Sequence, residues 1–298
     1  MIRINIRLVF WTWLIPAVLF GQEQASSNVH VAESYLKVLN DSLYKGSTDS
    51  VKLKYNLLFT EKFKQFLAFP GNEKNPFDSL KALSQVQSND GKLKIYTWML
   101  QLDSFSVYKN FGIIVYSPPK GKSKLIYELK ETDDTTSKPL QLVFSASGWY
   151  SALYYRLVEV KKGKSSYYVL LGWKGHNSST SMKVIEALYF EGDKPFFGKR
   201  VFDFENKLQS RVIFEFSSQA VMMLKYDDIK RMIVFDHLGP ADGWLDNDYS
   251  KYGPDFSVDA LKFENDYWNY IKDVDLRSDQ SQEPTEVKRK KQLYTPQE

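Results

Sequence analysis

The run Arg211-Val212-Ile213-Phe214-Glu215-Phe216, closed by Ser217-Ser218-Gln219, carries the pattern that decides the fold. Val212, Phe214 and Phe216 fall on one side of an extended chain and Arg211, Ile213 and Glu215 on the other, the period of two that marks a half-buried strand. Polar turn formers then stop it. The same grammar recurs upstream. Leu125, Tyr127 and Leu129 alternate with Ile126 and Glu128, and Leu140, Leu142 and Phe144 alternate with polar residues or Val143. Lys162-Gly163-Lys164, Glu191-Gly192-Asp193, Glu205-Asn206-Lys207 and Asp227-Asp228 divide the runs. Gaps this short leave no room for crossover helices, so the stretch from Lys92 to Asp275 is predicted to pair as antiparallel hairpins. In Leu93 to Leu102 the apolar phase slips from Leu93 and Ile95 to Trp98, Leu100 and Leu102, which predicts a bulge near Tyr96-Thr97. The last hairpin is expected over Ala260 to Asp275, turning at Glu264-Asn265-Asp266. A meander of this length closes as a barrel or curls into a sandwich, because a long flat sheet exposes its edges.

Before residue 90 the period changes. Val31, Tyr35, Val38 and Leu39 recur at helical spacing, as do Leu57, Leu58, Phe63, Phe66 and Leu67. Asn75-Pro76 reads as the start of a further short helix ending near Gln87, where Asn89-Asp90-Gly91 turns the chain into the first strand. The expected class is therefore mainly β, α+β overall. Residues 22–90 form a helical N-terminal segment, 91–277 an antiparallel β domain and 278–298 a disordered polar tail.

Residues 1–21 read as a secretory signal peptide. Arg3 and Arg7 precede an apolar stretch, Leu8 to Phe20, that is too short to span a bilayer, and Gly21-Gln22-Glu23 turns polar. Cleavage after Gly21 would remove both arginines and leave 38 basic against 36 acidic residues, a net charge of about +2. Basic residues are scattered apart from Lys288-Arg289-Lys290-Lys291, so no nucleic-acid partner is expected, nor membrane insertion after signal cleavage. The chain contains no cysteine, which excludes disulfides, thiolate nucleophiles, cysteine-zinc sites and a lipid-modified N-terminal cysteine. Together these features point to the periplasm, the outer-membrane surface or the exterior.

Lys94-Ile95-Tyr96-Thr97-Trp98, Gly148-Trp149-Tyr150-Ser151-Ala152, Tyr168-Val169-Leu170-Leu171-Gly172-Trp173, Met232-Ile233-Val234-Phe235-Asp236-His237 and Tyr252-Gly253-Pro254-Asp255-Phe256-Ser257 give the β region a further meaning. Through these segments, Lys92 to Arg277 resembles a family of uncharacterised secreted proteins of the Bacteroidota. That resemblance implies export and a β fold. It transfers no catalytic residue, because the family has no assigned activity.

Two loops hold the candidate site residues. One, after Gly172, offers Trp173, His176 and Asn177; the other, Asp236 to Asp259, offers Asp236, His237, Trp244, Tyr252 and Asp255 as ligand-binding groups. Asp242, Asp246 and Asp248 in the second loop supply the hard oxygen ligands that Ca2+ prefers, although the segment lacks the glycine and closing glutamate of the helical calcium loop. Turn capping by the same aspartates is the competing explanation. Ser145-Ala146-Ser147-Gly148 leads into another strand rather than a helix, so it is no esterase elbow, and no phosphate loop is present. The function expected is non-catalytic binding of an envelope ligand or protein partner. The alternative is a hydrolase of envelope polymers or glycans that uses the loop carboxylates.

Overall fold

Thr48 caps the second of two N-terminal helices in the computed structural model, which describes residues 31–102, 107–118, 122–132, 138–162, 165–241, 243 and 248–276. The expected signal peptide and polar tail lie outside the described residues, as do Asp242, Trp244 and Asp246. Helix α1 spans residues 31–45 and α2 runs over Asp49–Ala68. The Thr48 hydroxyl oxygen accepts from the Val51 amide at 3.3 Å, and Asp49 suits the positive end of the helix dipole. Phe59, Phe63, Phe66 and Leu67 of α2 are buried at helical spacing. In α1 the buried stripe is Leu36, Leu39 and Leu43, while Val31, Tyr35 and Val38 face solvent. The sequence pattern had named Val31, Tyr35, Val38 and Leu39, and of these Leu39 alone turns inward.

The short helix expected between Asn75 and Gln87 does not form. Asn75 Oδ1 accepts from the Phe77 amide at 3.0 Å, folding the chain into a tight turn, and Phe77 and Ala82 take left-handed φ values of 53° and 62°. Ser84–Gln87 then becomes a strand, β1.

β1 opens the first sheet, whose order is β1-β2-β3-β4, with β2 Leu93–Leu102, β3 Val107–Tyr116 and β4 Leu125–Lys130. β2 keeps unbroken register with both neighbours, so the bulge expected at Tyr96-Thr97 is absent. Burial on both faces explains the slipped phase. Tyr96, Trp98, Leu100 and Leu102 pack with the helices, and Leu93 and Ile95 pack with the next layer. Large apolar side chains buried in this way each contribute about 1.5–3 kcal/mol.

The middle sheet is built from β5 Phe144–Ser145, β6 Leu153–Lys162, β7 Ser165–Gly175, β8 Thr180–Glu191 and β9 Lys194–Phe197, in the order β5-β9-β8-β7-β6. One edge of β8 is shared. Residues 188–191 pair with β9, and residues 180–186 pair with β12, Arg211–Ser217. Leu140 and Leu142, expected in a strand with Phe144, instead lie in a turn and irregular segment, 138–143.

The third sheet has the order β11-β10-β16-β15-β14-β13. Its strands are β10 Phe202–Phe204, β11 Lys207–Gln209, β13 Leu224–Asp227, β14 Met232–Pro240, β15 Tyr252–Glu264 and β16 Tyr267–Ile271. Pairing between strands is antiparallel except for the short β10–β16 contact. The final hairpin turns at Asn265 and Asp266, both with positive φ, as its sequence predicted.

Three cores show how the layers stack. The helices cover one face of the first sheet. Its other face, through Leu93, Ile95, Ile114 and Leu129, meets Tyr154, Leu170, Val184 and Phe197 of the middle sheet. The far face of the middle sheet, through Val169, Leu171, Ile185 and Ala187, meets Phe202, Phe235, Leu261 and Trp268 of the third. The fold is thus mainly β and antiparallel, and no sheet closes into a barrel among the described residues. Stacking, rather than closure, covers the apolar faces. No described helix is long and apolar enough to cross a membrane.

Candidate functional site

Arg211 and Glu186 stand directly opposite each other on β12 and β8. Neither is exposed, and Arg211 Nε lies 3.2 Å from Glu186 Oε2. The Tyr154 hydroxyl donates to Glu186 Oε1 and itself accepts from Trp149 Nε1 at 2.7 Å. Further guanidinium N–H groups donate to the carbonyls of Pro139 and Leu142, the latter at 3.0 Å. A buried charge persists only when paired and hydrogen-bonded in this way. The consequence is local: Arg211 ties the irregular 138–142 segment to the middle sheet.

Tyr150 is fixed by the same cations. Its ring lies 5.3 Å from the Arg211 guanidinium carbon and 4.7 Å from Lys174 Nζ, and its carbonyl accepts from Lys174 Nζ at 3.0 Å. Lys174 is also 3.4 Å from Glu131 Oε1.

A cleft of about 400 Å³ opens beside this frame. The anchored segment supplies Lys138, Pro139, Leu140 and Gln141 to its lining; β8 and β12 supply Met182, Ile213 and Glu215. Tyr150 and Tyr249 complete it. Tyr249 belongs to the short 3-10 helix Tyr249–Lys251, which packs against β12. Asp248 caps that turn, its Oδ1 accepting from the Ser250 amide at 3.3 Å and the Ser250 hydroxyl at 2.5 Å. The Tyr249 ring remains 40% exposed and sits 5.3 Å from the Tyr252 ring. Glu215 Oε1 accepts from the Thr180 hydroxyl at 2.7 Å and lies 3.8 Å from His176 Nε2. Its Oε2 takes no hydrogen bond from a described residue.

The residues singled out from sequence divide accordingly. His176 lies beside Glu215 at the cleft. Asn177 is a turn former, its Oδ1 accepting from the Ser179 and Thr180 amides at 2.7 and 2.8 Å. Trp173 packs edge-on against Tyr108, 6.2 Å away, between the first and middle sheets. Asp236 Oδ2 accepts from the Met223 amide at 2.7 Å and secures β13 to β14. Tyr252 begins β15 and supports Tyr249. Asp248 spends its carboxylate on the turn cap. Its partners Asp242 and Asp246 in the expected Ca2+ site, like Trp244, lie outside the described residues. Among the described residues, no three His, Asp or Glu side chains converge to hold a metal ion.

His237 and Asp255 belong to a second cluster. The register of β14 with β15 shifts between Asp236 and Leu238, a bulge that carries His237. Its Nδ1 lies 2.7 Å from Asp259 Oδ2, which also accepts from the Tyr270 hydroxyl at 2.6 Å, while Asp259 Oδ1 accepts from the Asp273 amide at 3.1 Å. Burial, and then the adjacent Asp259 carboxylate, push the Tyr270 phenol above its ordinary range. Asp255 Oδ1 accepts from the Ser257 amide and hydroxyl at 3.0 and 2.7 Å. Burial raises that carboxyl, but these bonds and the His237 charge outweigh it and hold it below the usual carboxylate value. Between them Phe256 is 98% exposed with a φ of 74°.

Sequence reasoning missed Glu215, Tyr249, Gln141 and Lys138 as site residues. No local signal marks the first: Glu215 shares a strand face with Arg211, which reads as an ordinary solvated face until β12 is paired with β8. Compared with protein-family models, curated proteins and solved structures, the chain has no significant match.

Proposed function

We propose that this chain is an exported, non-catalytic protein of the bacterial cell envelope that holds its ligand in the cleft around Glu215. The observation that carries the proposal is the cleft itself. An apolar lining, a carboxylate with one oxygen unspent and an exposed tyrosine are held on a frame anchored by a buried ion pair. Binding sites combine a mostly apolar concave surface with a few placed polar groups, and this cleft has that composition. Export rests on the signal-like residues 1–21, the absence of cysteine is compatible with it, and kinship with the secreted Bacteroidota proteins belongs to the same proposal. The periplasm or the outer-membrane surface is the favoured location.

The hydrolase alternative is less well supported. Glycoside cleavage takes two carboxyl groups about 5–10 Å apart across the bond. Glu215 is the one carboxylate among the described residues lining the cleft, and Asp236, Asp248 and Asp255 spend oxygens on backbone amides. Two measurements test the proposal. Cell fractionation with N-terminal mass analysis should find a mature chain beginning at Gln22 in the envelope; an intact Met1 on a cytoplasmic form would overturn the location. A thermal-unfolding screen of small molecules should find stabilisers of the wild type that fail on Tyr249→Ala. Ligand at a hundredfold excess over Kd raises stability by about 2.7 kcal/mol. Stabilisers that act equally on both proteins would move the site elsewhere.

A further inference from the structure

We infer that the ligand is a neutral saccharide, an inference that rests on the cleft being the binding site. The charges around the cleft select against ions of either sign. The Tyr150 ring, the obvious platform for a cation, is already faced by Lys174 Nζ at 4.7 Å and Arg211 at 5.3 Å. Both are held beside that ring by their own carboxylates, Lys174 by Glu131 and Arg211 by Glu186, so a further cation would have to compete with them for it. An anion would meet the Glu215 carboxylate, which is fixed by Thr180 and partly withdrawn from water. Among the described residues Lys138 is the one cation lining the cleft, and it is exposed, so solvent screens what it could offer an anion. A neutral ligand meets none of these penalties.

The remaining groups suit a sugar ring. A pyranose has an apolar C–H face and a rim of hydroxyls, each both donor and acceptor. Tyr249 presents a ring braced by Tyr252 on a turn capped by Asp248, so stacking on it costs little side-chain freedom. The slightly positive C–H face is attracted to the negative face of an aromatic ring. Glu215 Oε2 accepts a hydroxyl proton. Gln141 offers an amide that both donates and accepts, and Ile213 and Met182 supply apolar contact. The volume, about 400 Å³, is at the small-molecule end of ligand pockets and takes roughly one or two pyranose rings.

The test uses the full mature chain and three neutral probes: cellobiose, maltose and N,N′-diacetylchitobiose. Glucosamine and glucuronate serve as the cationic and anionic comparisons. Calorimetric titration gives affinity, and amide chemical shifts give location. At least one neutral disaccharide should bind tenfold or more tighter than either charged sugar and shift the amides of Ile213, Glu215 and Tyr249. Tyr249→Ala should weaken it about tenfold, and because that ring is exposed the variant should keep its fold. Glu215→Gln should narrow the gap between the neutral probe and glucuronate. If glucosamine alone binds and shifts these amides, the neutral-saccharide inference falls while the cleft stands. If a disaccharide binds but shifts residues elsewhere and ignores Tyr249→Ala, the cleft falls too. If no neutral probe binds, the inference is overturned.

Discussion

Replacing Arg211 by methionine removes the one cation of a fully buried pair and leaves Glu186 charged in the interior. Breaking a buried pair from one side costs about 3–5 kcal/mol. The carbonyls of Pro139 and Leu142 lose donors as well, but they sit in a surface segment that water can reach, so their loss adds no more than about 1 kcal/mol. A total of about 3–6 kcal/mol is a large share of the 5–15 kcal/mol that a folded domain typically holds. At about 2–4 °C per kcal/mol for a chain of this size, Tm should fall by roughly 6–24 °C. The decisive comparison is the double variant Arg211→Met/Glu186→Gln. A neutral glutamine still accepts from the Tyr154 hydroxyl but leaves no orphan charge. Urea unfolding at neutral pH should therefore show the double variant about 2 kcal/mol more stable than Arg211→Met alone, although one more core group has been changed. A double variant no more stable than the single one would refute the view that Arg211 acts by neutralising Glu186.

Other perturbations probe other layers. Phe256→Gly should raise the urea midpoint by an amount equivalent to about 1 kcal/mol, because the ring is 98% exposed and its φ of 74° suits glycine; a lower midpoint would mean the ring packs against something. Asn56→Ala should cost about 2 kcal/mol by leaving the buried Trp98 indole N–H, now 2.7 Å from Asn56 Oδ1, without an acceptor; thermal unfolding reads the loss. Glu73 is held below its ordinary value of 4.5: burial acts upward, but the Lys124 ammonium at 2.7 Å and the Gly71 amide outweigh it. A carboxyl lowered by folding stabilises above its unfolded value and loses that contribution as pH falls through the folded one. The wild type should thus lose up to about 1 kcal/mol more than Glu73→Gln between about pH 5 and pH 3, and identical acid profiles would dismiss the pair.

How far the fold could be read from sequence depended on how many faces of an element are buried. β12 and the last hairpin have a local pattern, and it survives in the structure: Val212 and Phe216 are buried, and Asn265 and Asp266 turn the chain. β2 is covered on both sides, which erases the period of two and imitates a bulge. In α1, two apolar stripes share helical spacing, and only the position of the first sheet decides that Leu36, Leu39 and Leu43 turn inward. The site was less legible still. Glu215 meets Thr180 and His176 because β12 pairs with β8, a register that no local pattern announces. Arg211 looked like a solvated position for the same reason. Its partner Glu186 is brought opposite by that pairing alone.

The middle sheet, covered on both faces, sets a timetable for synthesis. A ribosome delivers α1, α2 and the first sheet by residue 130, yet Leu93, Ile95, Ile114 and Leu129 then have nothing to lie against. Their cover, Trp149 to Phe197, is still to be made, and the strands that shield the reverse of that cover come last of all. A nascent chain halted near residue 130 is therefore a sticky half-product, ready to bind a holding chaperone or another copy of itself.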